Sequence, residues 1–486
     1  MREWPALADR ALSASSPSFD SESLAAAVGG ALLRPTSRPI RGGAVDSRLV
    51  EPGHAFFALP GERTDGHRFV IDAARRGAAA LVVSQRPDSA EVDELNRVGD
   101  LAVVLVDDVL IALRRAAAEW RGRFVPLVVG ITGSLAKTST KEQTAEVLSA
   151  RWRVLRNTAN ENNEIGLPLT VLRMSSADEV AVLEMGMYEP GDIAILAQVA
   201  RPQIGIVTAV RGTHLARAGS IEAIERGKRE LVEALPSGAT AILNADDVRV
   251  SRMADHVPAG VDVVRYGFDP GAHVRADDIV SLGEQGMSFK LVTDQGSRAV
   301  AIPALGRHSV HNALAAAAAA MAAGMTLDEV AAALARPFSA PHRSTLFDAG
   351  EWRILDDTYN AAPDSMTAAL DLLHSLPGRH VAVLGEMLEL GAQSDAAHRG
   401  VGAHAAHTAD VLVAGGRPAT IYADAAEDAG MDPDAVHIAR DRDVALAALG
   451  RILKPGDVVL LKASNGERFF DLVDELRALA NGQPVA

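Results

Sequence analysis

At 486 residues the chain has room for about three domains, each able to bury its own core without disulfide or metal staples. With 48% apolar and 23% charged residues it is neither disordered nor collagen-like, and a net charge of −15 argues against a nucleic-acid coat or an anionic-membrane binder. The absence of cysteine removes disulfides, thiolate zinc sites and cysteine nucleophiles together and fits a reducing compartment, so the expected location is cytoplasmic.

The first twenty residues carry Arg2, Glu3, Asp9, Arg10 and Asp20 without an apolar stretch, so no secretory signal is expected. The longest apolar run, Ala313 to Met325, spans thirteen residues, short of the ~20 that a membrane-spanning helix needs. After an alanine-rich helical start, Ala44 to Gln85 mixes short strands with turns at Pro52-Gly53, Pro60-Gly61 and Asp65-Gly66, which predicts a small α/β domain. From Val125 the pattern changes to near-continuous apolar runs separated by helices: 126–132, 180–185, 204–210 and 240–247. Strands buried on both faces of a parallel sheet read this way. An alanine-rich helix after Asn312 then leads through Pro337 and Pro341 to a second such set at 353–357, 380–387, 410–416 and 457–464. The expected architecture is α/β in three domains: a small α/β domain over 1–108, a central doubly wound parallel sheet of the P-loop ATPase kind over 109–336, and a Rossmann-like domain over 337–486.

A strand, Leu127 to Ile131, runs into GITGSLAKTST (Gly130 to Thr140) and then into a helix toward Leu148. Backbone N–H groups at a helix start, a lysine for terminal phosphates and a hydroxyl for Mg²⁺ are what a phosphate loop needs, and Lys137 and Thr138 suit the last two roles. Gly130, Thr132, Gly133, Ser134, Leu135, Ala136 and Ser139 complete the expected ATP cradle. The strict motif is not met, because Ala136 stands where the glycine before the lysine belongs and Ile131 at the first glycine. An ordinary strand-to-helix turn capped by Ser and Thr is the plainer alternative.

Only six of the 48 basic residues are lysine: Lys137, Lys141, Lys228, Lys290, Lys454 and Lys462. In the helix Ser220 to Leu235 the apolar stripe runs Ile221, Ile224, Lys228, Leu231, Leu235, which places an amine on the buried face. Either its stem snorkels to the helix edge, or desolvation lowers its pKa until it can capture carbon dioxide. Glu184 ends a buried strand and His214 follows the next one, at the sheet edge where open α/β folds bind ligands. Singly each reads as readily as a satisfied loop residue; together, beyond a phosphate loop, they suit Mg²⁺.

These blocks occur in order with NENNEIGLPLT (Asn160 to Thr170), VLEMGM (Val182 to Met187), DDTYNAAPDSM (Asp356 to Met366) and LGEMLELG (Leu384 to Gly391). From about Ala44 to Leu476 the chain resembles the Mur ligases of peptidoglycan synthesis, and within them the branch that adds D-alanyl-D-alanine. The resemblance implies an ATP-dependent amide-forming ligase that activates the carboxylate of a UDP-N-acetylmuramoyl-tripeptide as an acyl phosphate for attack by the dipeptide amine. It assigns Lys137, Lys228, His214 and Glu184 to catalysis, and Thr138, Glu184, His214 and Lys228 to Mg²⁺, with Lys228 carbamylated. Asn312 is implied to face the base, and Arg343 and Asp357 the ribose or phosphates. AVDSR, with Ser47 and Arg48, corresponds to recognition of the UDP end by the amino-terminal domain, and Asn160, Asn162 and Asn163 to substrate contacts. LGEMLELG with His398 corresponds to the region for the incoming dipeptide. Lys462 either meets an acidic group or stays exposed. Small-molecule substrates, no nucleic acid, no membrane insertion and a monomer complete the expectation. The chain departs from the family pattern at Ala136, Ala159, Ala209 and Asn465. A folylpolyglutamate-type or other Mur-type ligase, and a catalytically silent nucleotide-binding paralogue, are the alternatives.

Overall fold

The computed structural model describes residues 17–61, 64–158, 160–212, 219–338 and 340–480. Short apolar strands alternating with helices fold into three sheets, as the pattern of buried runs requires. The first holds β1 (Ala31–Arg34), β2 (Gly43–Ala44), β3 (Ala55–Phe57), β4 (Ala80–Val83) and β5 (Ala102–Leu105) in the order β1-β5-β4-β3-β2, parallel except for β1.

The middle sheet comprises β6 (Leu127–Thr132), β7 (Val154–Arg156), β8 (Val180–Glu184), β9 (Ile204–Val207), β10 (Thr240–Asn244), β11 (Asp262–Gly267), β12 (Val274–Ser281), β13 (Met287–Thr293) and β14 (Gly296–Ile302). Its order is β14-β13-β12-β11-β10-β9-β6-β8-β7, parallel from β7 to β12. The antiparallel pairs β12–β13 and β13–β14 extend one edge, a part of the sheet that the apolar runs did not reveal. Here one face is wet, so burial alternates along MSFKLVT instead of forming a run.

Two glycines let a helix come close to the centre of this sheet. A Cβ on Gly130 of β6 would meet Leu231 Cδ1 at 3.0 Å, and one on Gly205 of β9 would meet Leu235 Cδ1 at 3.2 Å. The helix Ile221–Glu233, capped by Ser220, therefore seats directly on β6 and β9 and carries Lys228 toward their carboxyl ends. Gly130, expected in the nucleotide cradle, serves this packing and does not line the cleft. On the other face the alanine-rich helix Arg307–Ala322, which begins before Asn312, packs on Lys137–Ser149 with Ala313 to Ala320 buried.

In the third sheet β15 (Thr345–Ala349), β16 (Trp352–Asp356), β17 (His380–Leu384), β18 (Val411–Gly415), β19 (Val436–Ala439) and β20 (Val458–Lys462) run in the order β15-β16-β20-β17-β18-β19. All are parallel except β15.

The three units are joined unequally. One apolar cluster runs from the first sheet through the helix Val109–Gly122 into the middle unit. That helix ends at a buried guanidinium: Arg121 donates to the carbonyls of Ala200 (3.0 Å), Phe124 (2.9 Å) and Pro126 (3.4 Å). The third unit meets the middle one mainly through polar contacts, Arg211 Nε to Asp364 Oδ2 (2.8 Å), Arg343 Nη2 to Thr138 Oγ1 (3.2 Å) and the Arg353–Glu284 pair.

Candidate active site

Between the middle and third units lies a cavity of about 940 Å³, floored by the carboxyl ends of the middle strands. At its base β6 turns into the helix Lys137–Ser149. Gly133 has φ +153°, and a Cβ there would lie 1.8 Å from Thr208 Oγ1, so only glycine fits. The loop is held from β9: Ser134 N donates to the Ala209 carbonyl (2.7 Å), and Thr208 Oγ1 to the Leu135 carbonyl (2.6 Å). Ser134 Oγ bonds both backbone groups of Arg211. Ala136 adopts φ 62°, ψ 6°, the left-handed conformation that glycine takes without strain. The alanine that breaks the motif thus keeps the loop geometry at a conformational cost. Ser134 to Ser139 line the cleft, whereas Thr132 is buried beneath it, its hydroxyl on the Met185 carbonyl at 2.8 Å.

Glu184 sits opposite, 2% exposed at the end of β8. Its Oε1 accepts Asn162 Nδ2 at 2.7 Å; its Oε2 is buried with no partner among the described residues. An unpaired buried carboxylate oxygen beside a phosphate-loop hydroxyl suits a divalent cation shared with phosphate, and Glu184 with Thr138 would hold it. Lys228 is 2% exposed on the same side, its amine pushed well below 10.5 by burial and then by the charge of Lys137. Burial also lowers Lys137, with Glu184 opposing the shift. His214 and Ala159 lie outside the described residues.

Asn160 and Asn162 line the cleft, as does Asn163, whose Oδ1 accepts the Gly166 N–H at 2.9 Å where the helix Gly166–Leu172 begins. Asn312 accepts Thr140 Oγ1 at 3.2 Å on the cleft wall. From the third unit Arg343 lies 3.9 Å over the Tyr359 ring and reaches Thr138, and its Nε is buried with no partner among the described residues. Asp357 accepts Ser344 N at 3.0 Å and Lys462 Nζ at 2.5 Å, so Lys462 takes the acidic partner and is buried.

Other expected residues lie elsewhere. Arg48 is 81% exposed and paired with its neighbour Asp46 at 2.6 Å; neither it nor the buried Ser47 lines this cleft. His398 does not face it either: Nε2 accepts the Met387 N–H at 3.0 Å and Nδ1 donates to the Ser394 carbonyl at 2.7 Å. It holds the loop whose Leu388, Glu389 and Leu390 do line the cleft. Sequence reasoning missed Tyr359, Arg211 and Asp364, whose partners are distant in the chain; the surrounding DDTYNAAPDSM block was the available signal for two of them.

Three family models match in order: the Mur ligase family catalytic domain over 39–121, the Mur ligase middle domain over 131–320 and the Mur ligase glutamate ligase domain over 342–465. The chain belongs to the Mur ligase family. It is 39% identical to the UDP-N-acetylmuramoyl-tripeptide–D-alanyl-D-alanine ligase of Mycobacterium tuberculosis over 89% of this chain and 91% of that one. With the ligase of that name from Escherichia coli the identity is 38%, over 74% and 77%. Among solved structures, this Mur ligase superposes on MurF of Acinetobacter baumannii with a TM-score of 0.85 at 29% identity, over 95% of this chain and 99% of that one. For the MurF ligase of Thermotoga maritima in complex with ADP the TM-score is 0.78 at 27% identity, over 91% and 98%. The protein is therefore an ATP-dependent, amide-forming ligase.

Proposed function

We propose that this Mur ligase joins D-alanyl-D-alanine to the tripeptide carboxylate of UDP-N-acetylmuramoyl-tripeptide in peptidoglycan precursor synthesis. The likeness along the chain supports the substrates; the cleft supports the chemistry, above all by setting Glu184 Oε2, without a partner among the described residues, across from the Lys137–Thr138 helix start. A carboxylate is a poor electrophile at neutral pH, so ATP first converts it to an acyl phosphate, and the dipeptide amine then displaces phosphate.

Loop N–H groups and Lys137 bind the terminal phosphates and offset charge on the transferring group. Arg343 completes the site from the third unit when the cleft closes. Bound Mg²⁺ would neutralise phosphate charge and orient the group in transfer. Lys228, its amine held neutral more readily by burial, would add carbon dioxide as the free amine and shed one proton, so that a carbamate anion stands beside Lys137 in place of a second ammonium. Ser47 and Arg48 would engage the UDP end on the first unit, at a surface separate from the cleft. Domain divisions near 108 and 336 accord with the three sheets, and we assign the protein to the cytoplasm as a monomer. Among the described residues no helix is long and apolar enough to cross a membrane.

The deciding assay is phosphate release from ATP. It should require both the UDP-muramyl tripeptide and the dipeptide, and Lys137→Ala should abolish it while UDP-substrate binding survives. ATP turnover indifferent to the dipeptide would overturn the reading.

A further inference from the structure

β7 ends at Arg156, opposite Val182, yet β8 runs on to Glu184. Past Arg156 the neighbouring backbone leaves the ladder, and the Glu184 peptide groups would face a gap. The Asn157 side chain fills it: Oδ1 accepts the Glu184 N–H at 2.9 Å and Nδ2 donates to the Glu184 carbonyl at 3.0 Å. A carboxamide offers one acceptor and one donor side as a peptide does, so it adds a rung to the parallel sheet. The same Nδ2 donates to the Glu161 carbonyl at 2.8 Å, which ties down the turn that carries Asn160, Asn162 and Asn163.

Asn157 is 1% exposed, and its own carbonyl accepts the ammonium of the fully buried Lys141 at 2.6 Å. Lys141 belongs to the helix that starts with Lys137 and Thr138, and Glu142 Oε1 lies 2.7 Å from its ammonium. One chain of bonds thus runs from the phosphate-loop helix through Lys141 and Asn157 to the backbone of Glu184.

We propose that Asn157 is a positioning residue of the ligase: its carboxamide fixes the direction of Glu184, and Lys141 keeps that carboxylate at a constant spacing from the nucleotide cradle. The inference rests on the reading that Glu184 helps to hold a divalent cation. An aspartate at 157 has the same shape but no donor, and its second oxygen would oppose the carbonyls of Glu184 and Glu161.

The test is Mn²⁺ binding to full-length Asn157→Ala and Asn157→Asp in the presence of ADP, read from the paramagnetic signal of free Mn²⁺, with hydrogen exchange followed at the Glu184 amide. Both variants should bind Mn²⁺ about 10-fold or more weakly, the usual effect of removing a group that orients a metal ligand. Exchange at Glu184 should quicken while metal-free ADP affinity is unchanged. Should Asn157→Ala fail to fold, Asn157→Asp, of equal volume, carries the same comparison. Glu184→Gln, run alongside, separates the two ideas. Loss in Glu184→Gln with wild-type binding in the Asn157 variants overturns the positioning role alone. Wild-type Mn²⁺ affinity in Glu184→Gln overturns the metal reading and this proposal with it.

Discussion

Replacing Ala136 by glycine restores the residue that the phosphate-loop motif specifies, and the backbone gives the size of the effect. Ala136 cannot relax out of its left-handed conformation, because Ser134 and Leu135 are bonded to Ala209 and Thr208 on one side and Thr140 N bonds the Ala136 carbonyl at 2.9 Å on the other. That conformation costs an L-residue about 1–2 kcal/mol. Glycine removes this strain but loses about 0.5–1 kcal/mol more backbone entropy on folding. The net expectation is a gain of about 0.5–1 kcal/mol in folded-state stability. If the loop is ordered only when nucleotide binds, the same gain appears as roughly 2–5-fold tighter ADP binding. Ala136→Val is the counterpart, since a β-branched residue at positive φ is a severe outlier, and it should bind ADP worse than the parent. Thermal unfolding and calorimetric titration with ADP measure both variants. A glycine variant that binds ADP more weakly, or is less stable than the parent, would refute the reasoning and show that this loop requires the alanine Cβ.

Lys462→Met leaves Asp357 buried without its cation and should cost about 3–5 kcal/mol at pH 7, most of it recovered in the double variant with Asp357→Asn, as urea unfolding of all three would show. Burial holds the Lys462 amine below its usual 10.5, so between that lowered value and 10.5 the unfolded chain keeps a proton that the folded one sheds; Lys462 thus contributes a rise in stability with pH in that window, at most about 1.4 kcal/mol per pH unit, which Lys462→Met should lack. Arg343→Ala should raise KM for ATP far more than it weakens UDP-substrate binding, and equal losses would argue against a residue that acts from the third unit on the nucleotide alone. Lys228→Arg, which keeps the charge but cannot be carbamylated, should be nearly inactive, and Lys228→Ala should regain turnover with small added carboxylates; a fully active Lys228→Arg enzyme would leave Lys228 a packing residue.

What the sequence disclosed was what periodicity and local pattern encode. Lys228 stood out because spacings of three and four placed an amine among Ile224 and Leu231, and the structure buries it there. Ala136 was visible as a missing glycine, but its left-handed backbone was not, since no residue type other than glycine announces that conformation. The hairpin of β13 and β14 escaped notice although MSFKLVT alternates with period two, because attention to continuous runs favours strands covered on both faces. Arg343–Thr138 and Arg211–Asp364 were illegible for a different reason: they join positions 205 and 153 residues apart, and no local rule reaches that far. His398 shows the converse hazard, a histidine just past the recognisable LGEMLELG block whose ring nitrogens are both bonded to backbone.

Arg121 has a mechanical consequence. A charged fork sunk among the carbonyls of Ala200, Phe124 and Pro126 pins the helix Val109–Gly122 to the middle unit, and the apolar cluster around that helix carries the anchorage on into the first sheet. The second joint is spanned chiefly by side chains that water can replace, with Arg211 and Asp364 44% and 55% exposed. The first joint is thus built as a packed core and the second as a wet, polar seam. Small molecules wedged into that seam would hold the third unit off the nucleotide cleft without occupying the surface of the first.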